Sequence, residues 1–330
     1  VRNKNKILEI VVTQYEDGER CIKRLLDSIE IQQCIDFSEI GVIIINDGRN
    51  LVLSKKFQSK FKNYSFDISY HIEEWSGLSG ARQHGLDKVK AEYVMFCDGD
   101  DLFYRATSLY DYLTILKSKS PDILTGNFIA DIKLNDNVVG FKKIAKDITW
   151  VHGKCFKMAF LKKYNIKWNV DLKLYEDSYF VRLCLVYNPI RLNIEETTYL
   201  WKWRDSSTTR SNPNWEFETY PDKIKSNMAM VEELARRGFD VISSEYAWSM
   251  CIEMYFNLYD DKWKANEEYY NNLKKYIKEY WNKYNSRITS IKDDLFNNMI
   301  KSMQKRFNLS DDELNRRLTL FNPTLEEILK

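Results

Sequence analysis

The stretch that most limits what this chain can fold into runs Glu92-Tyr-Val-Met-Phe-Cys-Asp-Gly-Asp-Asp101. Tyr93 to Cys97 is a short apolar run, the pattern of a strand buried in the middle of a sheet. Asp98, Asp100 and Asp101 follow at once, separated only by Gly99. Side chains alternate along an extended chain, so Asp98 and Asp100 are expected to leave the strand end on one side. Two carboxylates held together repel each other unless a cation sits between them. Hard divalent ions that carry substrate phosphates use one or two carboxylates plus the phosphates themselves. The same residues would also make a polar turn, because Asp and Gly favour turns.

The flanking sequence supplies a sheet for this strand. Residues 7–13 and 41–45 read as buried strands, and residues 66–72 alternate as a third. Between them lie helical patterns: Ile22, Leu25, Leu26 and Ile29 on one face, Leu53, Phe57 and Phe61 over 51–62, and a helix from about 81 to 90 after a loop at 74–80. Strand–helix alternation with short connections predicts a parallel α/β sheet, doubly wound with helices on both faces. Ligands of such sheets bind beyond the carboxyl ends of the strands. Thr13, Asp47 and Asp98 all fall there.

Beyond a helix at 105–118 the pattern changes. Two alternating segments, 122–129 and 132–139, flank a hairpin-type turn at Asn135-Asp-Asn137, so the sheet is expected to become mixed. A helix is predicted over 154–163, another after Glu176-Asp177, and two short strands within 190–204. From 216 to 330 the chain reads as helix throughout, with Ser310-Asp-Asp-Glu313 a capping box. The expected division is a catalytic α/β domain at 1–212 and a helical domain at 213–330.

Composition excludes several classes. The chain has 330 residues and a formal charge of +2, which gives no general pull toward nucleic acid or membrane. No apolar run is long enough for a membrane span. The first residues carry no signal-peptide core, and no initiator Met is present, so a few residues are expected to have been removed. The six scattered cysteines form no CxxC pair and are expected as buried thiols in a reducing cytoplasm. Three histidines exclude a His-rich metal site. There is no GxGxxG and no Walker A sequence. Asp98 to Phe103 is not a calcium loop, since Leu109 stands where the bidentate Glu would be.

Other polar groups have two readings each. Asp47 could accept a hydrogen bond from a nucleobase, or simply end a strand. Arg82 could pair with a phosphate, with one of the acids, or with solvent. Glu176-Asp177 opens a helix, where acids are stabilised by the free N–H groups; one of them could also act as a general base. Arg204 and Arg210, set among hydroxyls, suit a diphosphate, and would equally serve in a polar connector. His152 and Lys154, next to Trp150, rank below the acids. The Tyr, Trp and Lys of 213–330 could stack sugars or bases, but at helical spacing such residues usually form core.

In this order the pieces resemble the family-2 glycosyltransferases of the GT-A fold. Ile10-Val-Val-Thr-Gln-Tyr15 is similar to the family's first strand, which places Thr13 and Tyr15 near the nucleotide. Ile44-Ile-Asn-Asp-Gly48 resembles its Asp-Asp-Gly-Ser element, with Asp47 contacting the base. Gly77 to Leu86 resembles the Gly-x-x-x-Ala-Arg-Asn-x-Gly segment, Glu92 to Asp101 the metal-carrying signature, and Tyr175 to Phe180 the Glu-Asp motif. Trp203-Arg204 with Ser206 to Arg210 resembles the element that closes over the diphosphate. The resemblance covers about 7–212. Asn46, Arg49 and Gln83 depart from the usual residues, which touches base and ribose contacts. A looser similarity, through Trp150 to Phe156, is to transferases encoded by viruses of bacteria, some of which put sugars on hydroxymethylated bases of DNA.

The resemblance implies a metal-dependent, inverting transferase using a UDP-sugar. It implies Mn²⁺ or Mg²⁺ on Asp100 and Asp98, and a donor held by Thr13, Tyr15, Asp47, Arg82, Asp98, Arg204 and Arg210. Asp177 would be the base, with Glu176 in reserve, and His152 and Lys154 would lie on the acceptor side. The acceptor would be a carbohydrate, a glycoconjugate or modified DNA. The place of action would be the cytoplasm, that of the host if the chain is viral. The helical region would cap the acceptor or mediate dimerisation. A different class, a non-catalytic nucleotide-sugar binder or assembly subunit, fits the same fold, although the intact acids at 98, 100, 176 and 177 argue against it.

Overall fold

The computed structural model describes residues 6–15, 18–47, 52–74, 76–135, 138–203, 212, 214–290 and 293–330. The chain divides into two compact units, 1–215 and 216–330.

The first unit is built on β1 (Leu8–Gln14), β2 (Ile40–Asn46), β3 (Asp67–Ile72) and β4 (Tyr93–Asp98). β1 is buried along its whole length because it pairs in parallel with β2 on one side and β4 on the other. Strands covered on both faces read as continuous apolar runs. α1 (Glu19–Glu30) packs through Ile22, Leu25, Leu26 and Ile29, the expected stripe. α2 (Lys55–Gln58) is one turn only; the helix expected over 51–62 breaks there and resumes as a 3₁₀ turn at Phe61–Asn63. The apolar spacing reflected an aromatic contact, Phe57 against Phe61 at 5.6 Å, rather than a continuous helix. α3 (Gly77–Lys88) starts four residues earlier than expected, within the presumed loop.

The sheet continues through β5 (Leu102–Phe103), α4 (Ser108–Lys119), β6 (Ile123–Asn135), β7 (Val138–Ile144), β8 (Lys154–Lys157), α5 (Met158–Lys163), α6 (Glu176–Leu185) and β9 (Arg191–Trp201). Among the described residues the order is β3-β2-β1-β4-β8-β6-β9-β5, with β7 on β6. β8 runs antiparallel to both β4 and β6, so the sheet is mixed, as the second half of the sequence implied. The helix expected over 154–163 is half strand: Cys155 and Phe156 are fully buried between β4 and β6. The two short strands expected at 190–204 are one, and register shifts against β6 near Asn127 account for the broken alternation. On one face Phe96, Phe156, Phe180 and Trp168 interlock, with Trp168 stacked on Phe180 at 4.3 Å.

The division of the chain falls within α7 (Trp215–Glu218). The second unit comprises α8 (Tyr220–Arg236), α9 (Asp240–Asn257), α10 (Asp261–Lys264), α11 (Glu267–Ile288), α12 (Asp293–Arg306) and α13 (Asp311–Leu329). Its aromatic residues fill its own core: Trp248, Tyr255, Trp263 and Tyr280 are buried. Stacking surfaces for sugars or bases are therefore not what these rings provide. Ser310 caps α13 by accepting from the Glu313 N–H at 3.2 Å. Among the described residues no helix is long and apolar enough to cross a membrane. Four cysteines are buried as expected, but Cys34 is exposed and Cys21 half-exposed.

Candidate active site

The parallel register of β1 and β4 sets Thr13 opposite Asp98. The Gly99 N–H donates to the Thr13 carbonyl at 3.0 Å, and the Thr13 hydroxyl donates to Asp98 Oδ1 at 3.4 Å. The next strand over ends in Asp47, which is buried; its N–H donates to the Gln14 carbonyl at 3.3 Å. Tyr15 stands exposed at the end of β1. Three strand ends thus bring Thr13, Tyr15, Asp47 and the Asp98–Asp101 cluster to one edge of the sheet.

Arg82 ties this edge to α6. α3 lies so close to the sheet that a Cβ on Gly85 would stand 2.2 Å from a Val11 methyl. That approach carries Arg82, one turn earlier, to 3% exposure. Its Nη2 donates to Asp98 at 3.0 Å and its Nη1 to Glu176 at 2.7 Å, while the guanidinium lies over the Trp168 ring at 5.0 Å. Of the partners weighed for Arg82 from sequence, the acids are the ones it meets. Burial alone would make the guanidinium easier to deprotonate, but Asp98, Glu176 and Asp177 outweigh it and hold the charge.

The acid pair is delivered by a strained residue. Tyr175 precedes α6 in the left-handed region, φ 60°, which is uncommon for a bulky side chain. Glu176 is buried and its carboxyl is pushed up to about 7 by burial and by Asp177, against the pull of Arg82. Asp177 is half-buried, accepts from the Ser178 N–H at 2.7 Å, and is also raised by burial in spite of Arg82. One cation therefore serves three acids.

Asp101 is fully buried. It accepts from the Tyr199 hydroxyl at 2.6 Å and from the Lys202 N–H at 2.9 Å, and burial followed by the charges of Asp100 and Asp98 raises its pKa. His152 lies between Tyr199 and Trp201, with centroids at 5.7 and 5.0 Å, and Phe128 meets it edge-on. Burial lowers the imidazole to about 4, so the ring is neutral at pH 7. Potential ligand atoms of Asp98, Asp101 and His152 all lie within 4.8 Å of one another. Asp100, expected as a ligand from its spacing, is buried beside this group rather than within it.

Lys154, expected on the acceptor side, is 2% exposed at its side chain and bound to Asp147 and to the Trp150 carbonyl, each at 2.6 Å. Its first role is to tie down the 147–154 loop that carries His152. Arg204 and Arg210 lie outside the described residues. Sequence reasoning missed Asp101, Asp147, Trp168 and Tyr199. Asp101 was visible in the acidic cluster, whereas the other three are joined to the site only through the fold.

A mixed sheet whose parallel strands deliver acids to one edge, answered by an acid pair at the start of a later helix, is an arrangement of the GT-A fold. Residues 9–171 match the family Glycosyl transferase family 2, and the chain carries a domain of that family. Among curated relatives, the minor teichoic acid biosynthesis protein GgaB of Bacillus subtilis (strain 168) is 23% identical over 274 residues, covering 77% of this chain and 29% of GgaB. The poly(ribitol-phosphate) beta-N-acetylglucosaminyltransferase TarP of Staphylococcus aureus (strain N315) is 27% identical over 194 residues, covering 53% of this chain and 56% of TarP. The chain thus spans less than a third of GgaB and little more than half of TarP. Of solved structures, S. aureus TarS 1-349 in complex with UDP-GlcNAc superposes with a TM-score of 0.52 at 17% identity, covering 98% of this chain and 87% of that one. The mannosyltransferase PcManGT of Pyrobaculum calidifontis, with GDP-Man and Mn²⁺, gives 0.50 at 12% identity over 69% of this chain and 65% of that one. At these identities the structures establish the fold alone.

Proposed function

We propose that this glycosyltransferase moves a sugar from a UDP-sugar to an acceptor hydroxyl with inversion, and that Asp177 is its general base. The observation that carries the reading is the Asp98–Arg82–Glu176 bridge. It fixes the start of α6 against the donor end of β4, and it occupies Glu176. Asp177 is left as the half-buried acid whose raised pKa suits proton uptake from a hydroxyl. Attack on the anomeric carbon from the side opposite the leaving diphosphate inverts the configuration. Asp47 is the candidate base contact, with Thr13 and Tyr15 beside it; Arg204 and Arg210 are candidates for the diphosphate.

The carboxylates of Asp98 and Asp101, with Asp100 buried beside them, fit a divalent cation, since hard oxygen donors gather at one strand end. When bound, such an ion supplies charge neutralisation at the departing nucleoside diphosphate.

For the acceptor we propose a phosphate-containing carbohydrate polymer. GgaB, a minor teichoic acid biosynthesis protein, and TarP, a poly(ribitol-phosphate) transferase, support this. So does a cavity of about 400 Å³ on the α6 side of the sheet, whose lining includes Lys146, Val181 and Arg191 beside the paired Asp147 and Lys154. Val181 is one turn beyond Asp177 on the same helix face. A DNA acceptor has no comparable support among the described residues.

Thermal unfolding with UDP, GDP, CDP and UDP-GlcNAc, each with and without Mn²⁺, tests the donor. A ligand at about a hundred times its Kd stabilises by roughly 2.7 kcal/mol. Stabilisation by the uridine nucleotides is expected, and greater with Mn²⁺. A preference for GDP would overturn the UDP assignment. No shift with any nucleotide would overturn the donor site itself.

A further inference from the structure

We propose that His152 is a metal ligand, completing through Nδ1 a divalent-cation site with Asp98 and Asp101, and that this nitrogen makes the site prefer Mn²⁺ to Mg²⁺. The inference rests on the transferase reading only for what the ion is used for; the site itself stands on the side chains.

His152 is 4% exposed, and its Nδ1 is buried with no hydrogen-bond partner. Buried polar atoms are nearly always satisfied, so an orphan of this kind points to something that binds it. The nearest carboxylate oxygen, Asp101 Oδ2, is 3.9 Å away. That is too far for a hydrogen bond. It is close to the separation of two ligands on one ion, since each bond to a first-row metal is roughly 2.0–2.2 Å long. A ligand oxygen of Asp98 falls within the same 4.8 Å group. Asp98 is also the member that reaches solvent, its side chain being 27% exposed, so the group has an entrance.

The surroundings hold the imidazole in place. Tyr199 and Trp201 stack against it at 22° and 29°, which fixes the ring plane. Gly153 follows at φ 64°, and its carbonyl accepts from the Tyr112 hydroxyl at 2.8 Å and from the Gly126 N–H at 2.8 Å. A Cβ there would stand 2.9 Å from the Gly126 carbonyl, so the turn that presents His152 needs glycine. The bonds from Tyr199 and Lys202 orient Asp101 as outer partners orient a ligating carboxylate.

The ligand set carries the selectivity. Imidazole suits later first-row ions, whereas Mg²⁺ keeps to oxygen and gives up water reluctantly. Carboxylates alone would discriminate less.

The test uses the full chain and Mn²⁺ alone. Titration followed by the electron paramagnetic resonance signal of free Mn²⁺ gives the affinity, and competition gives that of Mg²⁺. His152→Ala is expected to weaken Mn²⁺ about tenfold or more, to change Mg²⁺ by no more than about threefold, and so to collapse the preference. Equal losses for both ions would overturn the inference. If the variant does not fold, electron spin echo modulation of Mn²⁺ bound to the unmodified protein decides: a directly bound ¹⁴N supports His152, and its absence overturns it. The donor reading fails separately. Mn²⁺ bound through nitrogen with no uridine nucleotide bound would remove that reading and leave the site. A uridine nucleotide bound with Mn²⁺ that shows no nitrogen would do the reverse.

Discussion

Each unit of this chain buries a knot of charge, and the two are built with opposite surplus. In the α/β unit one guanidinium, Arg82, faces Asp98, Glu176 and Asp177. In the helical unit one carboxylate, Glu253, faces Lys223 and Arg306, with the Tyr220 hydroxyl at 3.3 Å. Burial by itself would raise both glutamates. Glu176 does rise, to about 7, because its neighbour Asp177 adds to burial. Glu253 falls, because two cations outweigh burial. The second knot has its surplus positive charge on Lys223 and Arg306, which reach solvent, and acts as a clasp between α8, α9 and α12. The first has unanswered negative charge beside a cleft, the condition for taking up a proton or a metal ion.

The sharpest break between the two is catalytic. Asp177→Asn is expected to lower kcat by about 10²–10⁴, the usual contribution of a general base, with uridine nucleotide binding retained. Full transfer by the variant would move the base elsewhere. No charge change in the Glu253 knot should approach that loss.

Stability gives the next contrast. Arg82→Ala strands buried acids and is expected to cost about 3–5 kcal/mol in denaturant unfolding. Glu253→Gln leaves Lys223 and Arg306, which are 28% and 47% exposed and can turn to water, so the expected cost is about 1–2 kcal/mol. Equal costs would mean that the two knots are the same kind of structure.

The smallest effect is the most diagnostic, because its sign differs. The raised pKa of Glu176 contributes stability that is full below the ordinary carboxylate range and lost as pH rises through about 7. The depressed pKa of Glu253 contributes stability that is present above that range and lost as pH falls through its lowered value. Unfolding of the parent against Glu176→Gln and Glu253→Gln, from about pH 4 to about pH 8, should show the parent's advantage shrinking with pH in the first case and growing in the second. Slopes of one sign would break the comparison.

Much of this was legible in the chain before folding, for physical reasons. β1, β2 and β4 announce themselves because a strand covered on both faces must be apolar throughout, and the acids that end them stand next to those runs in sequence. The capping box of α13 is equally local. Pairings between distant segments leave no such trace. Nothing around Tyr199 says that its hydroxyl will reach Asp101, and nothing around Lys154 says that it will be spent on Asp147. The helix expected over 154–163 failed because Cys155 and Phe156 satisfy helical spacing and strand burial alike, and only their neighbours in the sheet decide between them. The rings of the helical unit were ambiguous in the same way, and packing made them core.

The bond from Arg82 to Glu176 joins residues 94 positions apart. A ribosome that has released the chain only as far as residue 171 has already made everything the family match covers, and Arg82 then has Asp98 but not Glu176. Domains assemble from the N-terminus as they emerge, so a half-sheet with its acidic edge can precede the acid pair. Closing that bridge is thus late in synthesis: Arg82 can meet Asp98 first and meets Glu176 only once the start of α6 has emerged.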